Sequence, residues 1–595
     1  MNKSKYSFYI CAVFLLLSTF LTKRWEDRSN AILTYDAAGY YLYLPSFFYD
    51  DLGKIQNREM IMQRYHPFGG FEEAGSPTHQ NFIIKYTCGL ALLELPAFTV
   101  AHFWAKAGRY PVDGFSFPYQ VCINFWSIVF AMLGLYMLRK ILIRYFTDEA
   151  VALTLIILCA ASNLYNYISF SGNMSHSYLF TLYTAILLLT DDFYLRPTLK
   201  SAVVLGLCAG MAVLIRPTEI ICLVIITGWK ISKAEHIKRR LLFFRHHYPE
   251  LFAFFLSAII MGSIQMAYWK MYAGHWIYWS YGKEETFSFL HPHILKGLFS
   301  YRKGWFLYTP VMILSVMGWW FLFRRWRLFF PSHFIFFLLN IYIVFSWDCW
   351  WYGGSFSQRS VVQSYAVLSF PIAALVQSVY NMKYPLHSLY AFILFCTGLN
   401  FTMTYQAYTK KHIMESDTMS KKYYWKIFGK LNIHPSDRKY IDVGEELPPE
   451  LQKKLSRIYF NDFEKEDFAQ SGAYFSGHKG LLLDQALQET KEMSIPVFDK
   501  RGYYRVSVKV KAEDMEWEVW KQAQFIVSLQ DHQASVKTNF YRMYRIIEPG
   551  SWQKIDIDIQ TPEDKRFDTL KVKFWNAGSK KALQLDDLEV QFAAY

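Results

Sequence analysis

The chain has 595 residues, of which 53% are hydrophobic, 19% aromatic and only 19% charged. That is too apolar for a soluble enzyme and too long for one compact domain. The formal net charge is +14, but the basic residues sit in short connectors between apolar runs, the pattern by which a membrane protein fixes its orientation, and this excludes nucleic acid as the expected partner. All eight cysteines fall before residue 400, mostly inside apolar runs (Cys11, Cys122, Cys159, Cys208, Cys222, Cys396), with neither metal-site nor disulfide-framework spacing.

The first apolar run, near 6–22, is about the minimum length for a span, and Lys3 and Lys5 ahead of it favour a cytoplasmic N-terminus. It lacks a small-residue cleavage site and is followed by KRWEDR, which predicts a retained anchor instead of a removed signal. Next comes the segment 28–51, RSNAILTYDAAGYYLYLPSFFYDD, which sets Asp36 among aromatic residues. Its Tyr40, Tyr41, Leu42, Tyr43, Leu44, Phe47 and Phe48 predict interfacial helices lying flat in the headgroup zone, within a first outer loop spanning 22–85. Asp36 has two readings here: the N-cap of such a helix, or an acid held over the bilayer edge for chemistry.

Further apolar runs near 86–106, 118–139, 149–167, 175–191, 201–215, 217–231, 250–270, 305–323, 329–347, 361–380 and 386–406 bring the expected number of spans to about twelve. With the N-terminus inside, the connectors 139–144, 191–200, 230–247 and 324–327 and the turn at Lys383 become cytoplasmic, and most are basic. The opposite side receives the Asp36 loop, 169–177, 216–219, 274–304 and 346–359, which are polar, Gly-rich and Trp- and His-bearing. A site at the outer face is expected, whereas a transporter more often carries its ionisable groups at mid-membrane.

From about Thr409 no run is long enough to span, and 409–451 reads as a charged linker with short helices near the membrane. In 452–595 the period becomes two: Val506, Val508 and Val510, then Ile555, Ile557 and Ile559, then Leu570, Val572 and Phe574 alternate with polar residues. The expected fold is therefore a polytopic α-helical membrane domain, 1–408, followed by an extracytoplasmic all-β sandwich or jelly roll.

Several outer-face residues invite a chemical reading. Lys85 sits where the polar loop meets the second run, either snorkelling or binding a lipid-borne phosphate. Arg216, Arg302, Lys303 and Arg359 lie on the outer side, where positive-inside bias gives cations no topological reason to be, and a phosphate partner would account for them. His291 and His293 form an HPH that is weak evidence for a metal. Asn173, Ser175 and His176 make either a turn or part of a pocket. Asp348, Trp350, Trp351 and Tyr352 stand in WDCWWYGG, read as an interfacial aromatic belt or, with Arg359, as a sugar pocket that also uses Tyr40 and Tyr281.

The motifs TYDAAGYYLYLP, KYTCGLALLELP, RPTE, FSYRKGWFLYTP and WWYGGSFSQR make the first 410 or so residues resemble the GT-C glycosyltransferases, and more narrowly the protein O-mannosyltransferase and aminoarabinose-transferase-like members that use polyprenyl-phosphate sugars. The resemblance implies that Asp36 is the essential acid of the first outer loop and that Lys85 matches a lysine at the start of the following span. A second neighbouring acid is common in that family, but Tyr35 and Ala37 flank Asp36 here. The activity implied is inverting transfer from a polyprenyl-phosphate sugar to a glycan, lipid or protein hydroxyl at the outer face of the cytoplasmic membrane. Asp36 would act as base, Lys85, Arg216, Arg302, Lys303 and Arg359 would hold the phosphate, and no cofactor is required, although a divalent ion is compatible. A flippase for lipid-linked sugars and a non-catalytic envelope-assembly protein remain as alternatives.

Overall fold

The computed structural model describes residues 2–22, 25, 32–65, 75–78, 81–282, 285–380, 382–409, 413–415, 417–466, 470–472, 474–498, 500–516, 518–532 and 534–595. Most of KRWEDR, the start of the Asp36 segment at 28–31 and the first linker residues at 410–412 lie outside them. The chain divides into two compact units, Met1–Lys410 and Lys411–Tyr595.

The first unit is helical. Among the described residues six helices are long and apolar enough to cross a bilayer: Lys3–Thr22, Phe117–Leu142, Ser175–Leu195, Tyr248–Ala273, Arg359–Val379 and Tyr384–Tyr408. The count of twelve is not reproduced, and the reasons are local. Leu199–Ile215, Pro217–Gly228 and Phe330–Ser346 are apolar but short. Gly89–Ala107 carries Glu94, Pro96 and Lys106. The run 305–323 breaks at Thr309–Pro310, where the proline ring cannot continue the preceding turn. The run 149–167 is helical over Asp148–Ile156, widens into a π turn at Ile157–Ala161, and is extended at Ser162. The carbonyls this break frees are satisfied by the Asn400 side chain, whose Nδ2 donates to Ala160 O at 2.9 Å and Ser162 O at 3.1 Å. Irregular backbone at this depth survives only with such partners.

The basic connectors gather at one end of this bundle. Arg139 donates to Ser4 Oγ at 2.8 Å and Asn2 Oδ1 at 2.7 Å. The buried Asp191 carboxylate receives Arg144 at 2.8 Å, Lys230 at 2.8 Å, the Trp229 indole at 3.0 Å and the Tyr145 hydroxyl at 2.5 Å. Trp326 in turn donates to Tyr145 O at 3.2 Å. Replacing Asp191 with Ala strands the fully buried Trp229 N–H and the Lys230 ammonium, while Arg144 keeps Asp192 at 2.7 Å. Removing one partner of a fully buried ion pair costs roughly 3–5 kcal/mol, and because Arg144 and Lys230 keep about a third of their surface in solvent, we expect roughly 2–3 kcal/mol here, read as a lowered melting temperature in detergent.

The Asp36 segment does not lie on the surface. Two short helices, Tyr35–Tyr41 and Tyr43–Tyr49, bury Tyr40, Tyr41, Leu42, Tyr43 and Leu44, leaving only Phe47 and Phe48 of that set exposed. The tyrosines tolerate burial because their hydroxyls find acceptors: Tyr41 donates to Gly114 O at 2.6 Å and Tyr43 to Tyr86 O at 2.7 Å. The amphipathicity that predicts an affinity for headgroups is satisfied inside the protein.

The second unit is an antiparallel sandwich around one main core, with a small satellite cluster of Leu447, Leu451, Tyr503 and Ala593. One sheet orders Gln553–Gln560, Gly502–Ala512, Leu583–Ala594, Lys479–Leu483 and Gln470–Ser471, with Ser456–Asn461 also paired to Leu583–Ala594. The other orders Met493–Pro496, Thr569–Trp575, Gln524–Asp531 and Ala534–Arg542. Two of the alternating runs seen in the sequence are register partners: Val508 faces Ile555 and Val506 faces Ile557. The third, Leu570, Val572 and Phe574, supplies the opposing layer of the same core. Much of the expected linker packs onto the sandwich: Asp442 pairs with Arg542 at 2.7 Å and Arg545 at 2.9 Å, and Val443 enters the core.

Candidate active site

Asp36 sits in the first turn of Tyr35–Tyr41, whose N-cap is Thr34, so capping is not its role. One oxygen, Oδ1, accepts the Tyr86 hydroxyl at 2.6 Å, and the other, Oδ2, pairs with Arg359 Nη2 at 2.7 Å. The Asp36 side chain is 14% exposed, sheltered yet reachable. Burial pushes its carboxyl up, but Arg359, the Tyr86 hydroxyl, Lys85 and Arg216 together outweigh that and hold it below the usual carboxylate range. The partner phenol moves the other way: burial, then the Asp36 charge, push Tyr86 well above the ordinary tyrosine value. At neutral pH the site therefore holds an anionic acid and a neutral phenol.

Three chain segments deliver the cations. Arg216 ends Leu199–Ile215 in extended backbone, followed at once by Pro217. The Tyr86–Gly89 turn packs directly on it: Thr87 donates to Ile215 O at 2.9 Å, and a Cβ on Gly89 would stand 2.7 Å from Ile215 N, so only glycine permits this approach. Arg216 shares its surroundings with Tyr40, Tyr281, Tyr352 and Glu219. Arg359 opens the turn Arg359–Ser364, which Gln363 anchors by donating to buried Glu219 at 3.0 Å, and Tyr183 holds the other Glu219 oxygen at 2.7 Å. The Arg359 Nε is enclosed and has no hydrogen-bond partner among the described residues. Lys85 pairs with Glu285 at 3.0 Å and lies over the Tyr281 ring at 5.2 Å. The Tyr40 and Tyr86 rings are 4.4 Å apart, and Tyr281 meets Tyr86 edge-on at 6.1 Å.

The remaining candidates form a second tier. Lys303 is buried and donates to Ser355 Oγ at 3.0 Å, and Ser355 Oγ donates to Tyr352 O at 3.3 Å. Arg302 lies 3.6 Å over the Trp351 ring, and His293 is 6.4 Å from Trp350. His176 is fully buried, edge-on to Tyr167 at 5.4 Å, and feels the charges of Arg216 and Arg359. Asp348 organises a loop, accepting from Thr286 at 2.6 Å and Ser288 at 2.5 Å. Among the described residues no hydrogen bond or ion pair joins Asn173, His291, His293 or Asp348 to the Asp36 group, though both side-chain polar atoms of buried Asn173 are unpartnered. Tyr35 (φ 47°), Tyr352 (φ 54°) and Ser357 (φ 52°) adopt the left-handed region, at a cost of roughly 1–3 kcal/mol each.

Sequence reading gave no role to Tyr86, Glu219, Gln363 or Glu285. Glu219 had a signal: an acid three residues after Arg216, inside an apolar run. Glu285 and Gln363 had none.

No protein-family model matches the sequence. No curated protein matches it either. Among solved structures, a family 16 carbohydrate-binding module aligns at 16% identity over 20% of this chain and 82% of its own, with a TM-score of 0.16. The arabinosyltransferase EmbB from Mycobacterium smegmatis aligns at 10% identity over 80% of this chain and 57% of its own, with a TM-score of 0.33. At those scores neither likeness carries weight for what this chain does.

Proposed function

We propose that the chain is an inverting glycosyltransferase that moves a sugar from a polyprenyl-phosphate donor to an acceptor hydroxyl at the outer face of the cytoplasmic membrane. The observation that carries this reading is the Asp36–Arg359 pair: an ionised, reachable carboxylate against a guanidinium whose Nε is still unpartnered, with Arg216 and Lys85 beside it. The basic connectors gathered at the other end support a cytoplasmic assignment for that end and an outer one for Asp36.

In the proposed step the acceptor oxygen attacks the anomeric carbon opposite the phosphate. The bond from that carbon to the phosphate oxygen breaks, and the phosphate leaves with the electron pair. Asp36 takes the acceptor proton. A carboxylate of depressed pKa is a weak base, so it orients the hydroxyl and receives the proton late, as carbocation character develops in the sugar. Arg359 keeps one nitrogen on Asp36 and offers its remaining donors to the phosphate, while Arg216 and Lys85 add positive charge. Tyr40, Tyr281 and Tyr352 provide rings and hydroxyls for a sugar, with Trp350, Trp351, Arg302 and Lys303 further out. Both Asp36 oxygens already accept from donors and the charges nearest it are positive, so these residues do not form a seat for a divalent ion, and no step is routed through one.

Mass spectrometry of envelope glycans and lipid-linked sugars tests this, comparing cells carrying the wild-type chain with cells carrying Asp36→Asn. Accumulated lipid-linked sugar together with a missing glycan residue is the expected result. Unchanged profiles would overturn the proposal.

A further inference from the structure

The helix Ala234–His246, AEHIKRRLLFFRH, differs from every other helix of the first unit in burying none of its residues. One stripe nevertheless packs on the protein. His236 accepts from Ser232 N at 3.3 Å; Arg240 donates to Trp229 O at 2.6 Å and stacks 3.5 Å over Tyr194; Phe243 meets Phe193, Tyr194 and His247. These positions, 236, 240, 243 and 247, share one face at helical spacing. Rotated about 100° from them is a second stripe at 237, 241 and 244, all apolar: Ile237, Leu241 and Phe244. Ile237 is 50% exposed and Leu241 63%. Lys238 and Arg245, both exposed, follow that stripe on its far side.

This apolar stripe does not end in water. It runs through His247, the single residue between the two helices, into the exposed apolar side of Tyr248–Ala273, where Phe252, Phe255, Leu256, Ile259 and Ile260 face outward. That helix is one of the six able to span, so its outward side is the bilayer-facing surface. The exposed stripe of Ala234–His246 therefore continues a lipid-facing surface around a bend. It does so at the end of the bundle where Arg144 and Lys230 meet Asp191.

We propose that Ala234–His246 is a membrane-surface helix that docks on anionic phospholipid at this end of the bundle, its apolar stripe among the upper acyl chains and Lys238 and Arg245 on headgroup phosphates. Charge complementarity selects the occupant: the exposed cations Lys238, Arg239 and Arg245 are set against a single acid, Glu235, which Arg239 already occupies at 2.5 Å. Juxtamembrane Lys and Arg draw anionic headgroups at roughly fivefold in affinity per residue. The docking is independent of the chemistry proposed for Asp36.

Amide hydrogen exchange of residues 234–247 in the full-length protein, in nanodiscs of phosphatidylcholine alone or with about a third phosphatidylglycerol, tests the inference. Exchange should slow with phosphatidylglycerol by an order of magnitude or more. The double variant K238Q/R245Q should lose most of that slowing, roughly 25-fold in docking constant. Leu241→Asp should exchange fast in both lipids. None of these side chains is buried, and unchanged exchange in Tyr248–Ala273 controls for folding. Equal exchange in the two lipids would overturn the proposal, as would slowing that appears only when protein density is raised, which would assign the stripe to a second copy.

Discussion

Replacing Asp36 with Asn is expected to abolish transfer while leaving donor binding intact or tighter. The amide keeps the volume of the carboxylate and still accepts the Tyr86 hydroxyl, so the cavity is preserved. What disappears is the charge that takes the acceptor proton, a contribution of roughly 10²–10⁴-fold. Arg359 is released at the same time from its 2.7 Å partner and becomes free to hold the donor phosphate more firmly. The expected signature is a fall in kcat of about three orders of magnitude with an unchanged or lower KM for donor, measured with purified protein and a lipid-phosphate sugar. Turnover within tenfold of wild type would remove Asp36 from the chemistry. A carrier of lipid-linked sugars would continue to move its cargo in this variant, so a flipping assay on the same preparation separates the two readings.

Replacing Arg359 with Gln is expected to be as damaging by a different route. Asp36 loses the strongest of the influences that lower its pKa while keeping the burial that raises it. Its carboxyl therefore moves up, and the acid limb of the activity profile should shift to higher pH. The sign follows from linkage. In the wild-type protein the folded pKa is depressed, so the stabilisation from Asp36 is present above the unfolded value near 4 and is lost as pH falls through the lower folded value. Without Arg359 the folded value moves back up toward the unfolded one, so the variant should lose less stability on acidification than the wild type does. Donor KM should rise because a phosphate ligand of the bound donor is lost, and kcat should fall by about 10²-fold or more with the lost stabilisation of the departing phosphate. Arg359→Lys should recover part of the pH profile but less of the donor affinity, because an ammonium lacks the planar fork that serves a carboxylate and a phosphate together. The double variant D36N/R359Q should lose less than the two single effects combined, since each single change strands the other partner. Strict additivity would mean that the pair does not act as a unit.

The alternation of Val506, Val508 and Val510 against Ile555, Ile557 and Ile559 was legible because strand period and burial are the same local fact. Each residue's face follows from its neighbours two positions away, and the two runs prove to be direct register partners. The apolar runs of the first 410 residues were legible for a related reason: their composition reports the solvent around them. Their count was less secure. A π turn at Ile157–Ala161 and the break at Thr309–Pro310 each depend on whether a remote group, such as Asn400, repairs the freed backbone. The burial of the Tyr40 to Leu44 segment has the same cause. Its amphipathic pattern is indifferent to whether the apolar side meets lipid or protein, and only the positions of Gly114 and Tyr86 as acceptors for Tyr41 and Tyr43 decide it.

Read alone, the order of amino acids determined the solvent of each segment, the change from helical to strand period, and the presence of unpaired-looking charge on the polar-aromatic side. Those are properties of short windows, set by hydrophobicity and backbone periodicity. Which charges meet was decided by tertiary structure. Asp36 and Arg359 are brought to 2.7 Å from opposite ends of the helical unit, Gln363 reaches Glu219, and Lys85 finds Glu285. Electrostatic pairing depends on distance in space, and chain distance carries almost no information about it once the helical segments have folded back on one another.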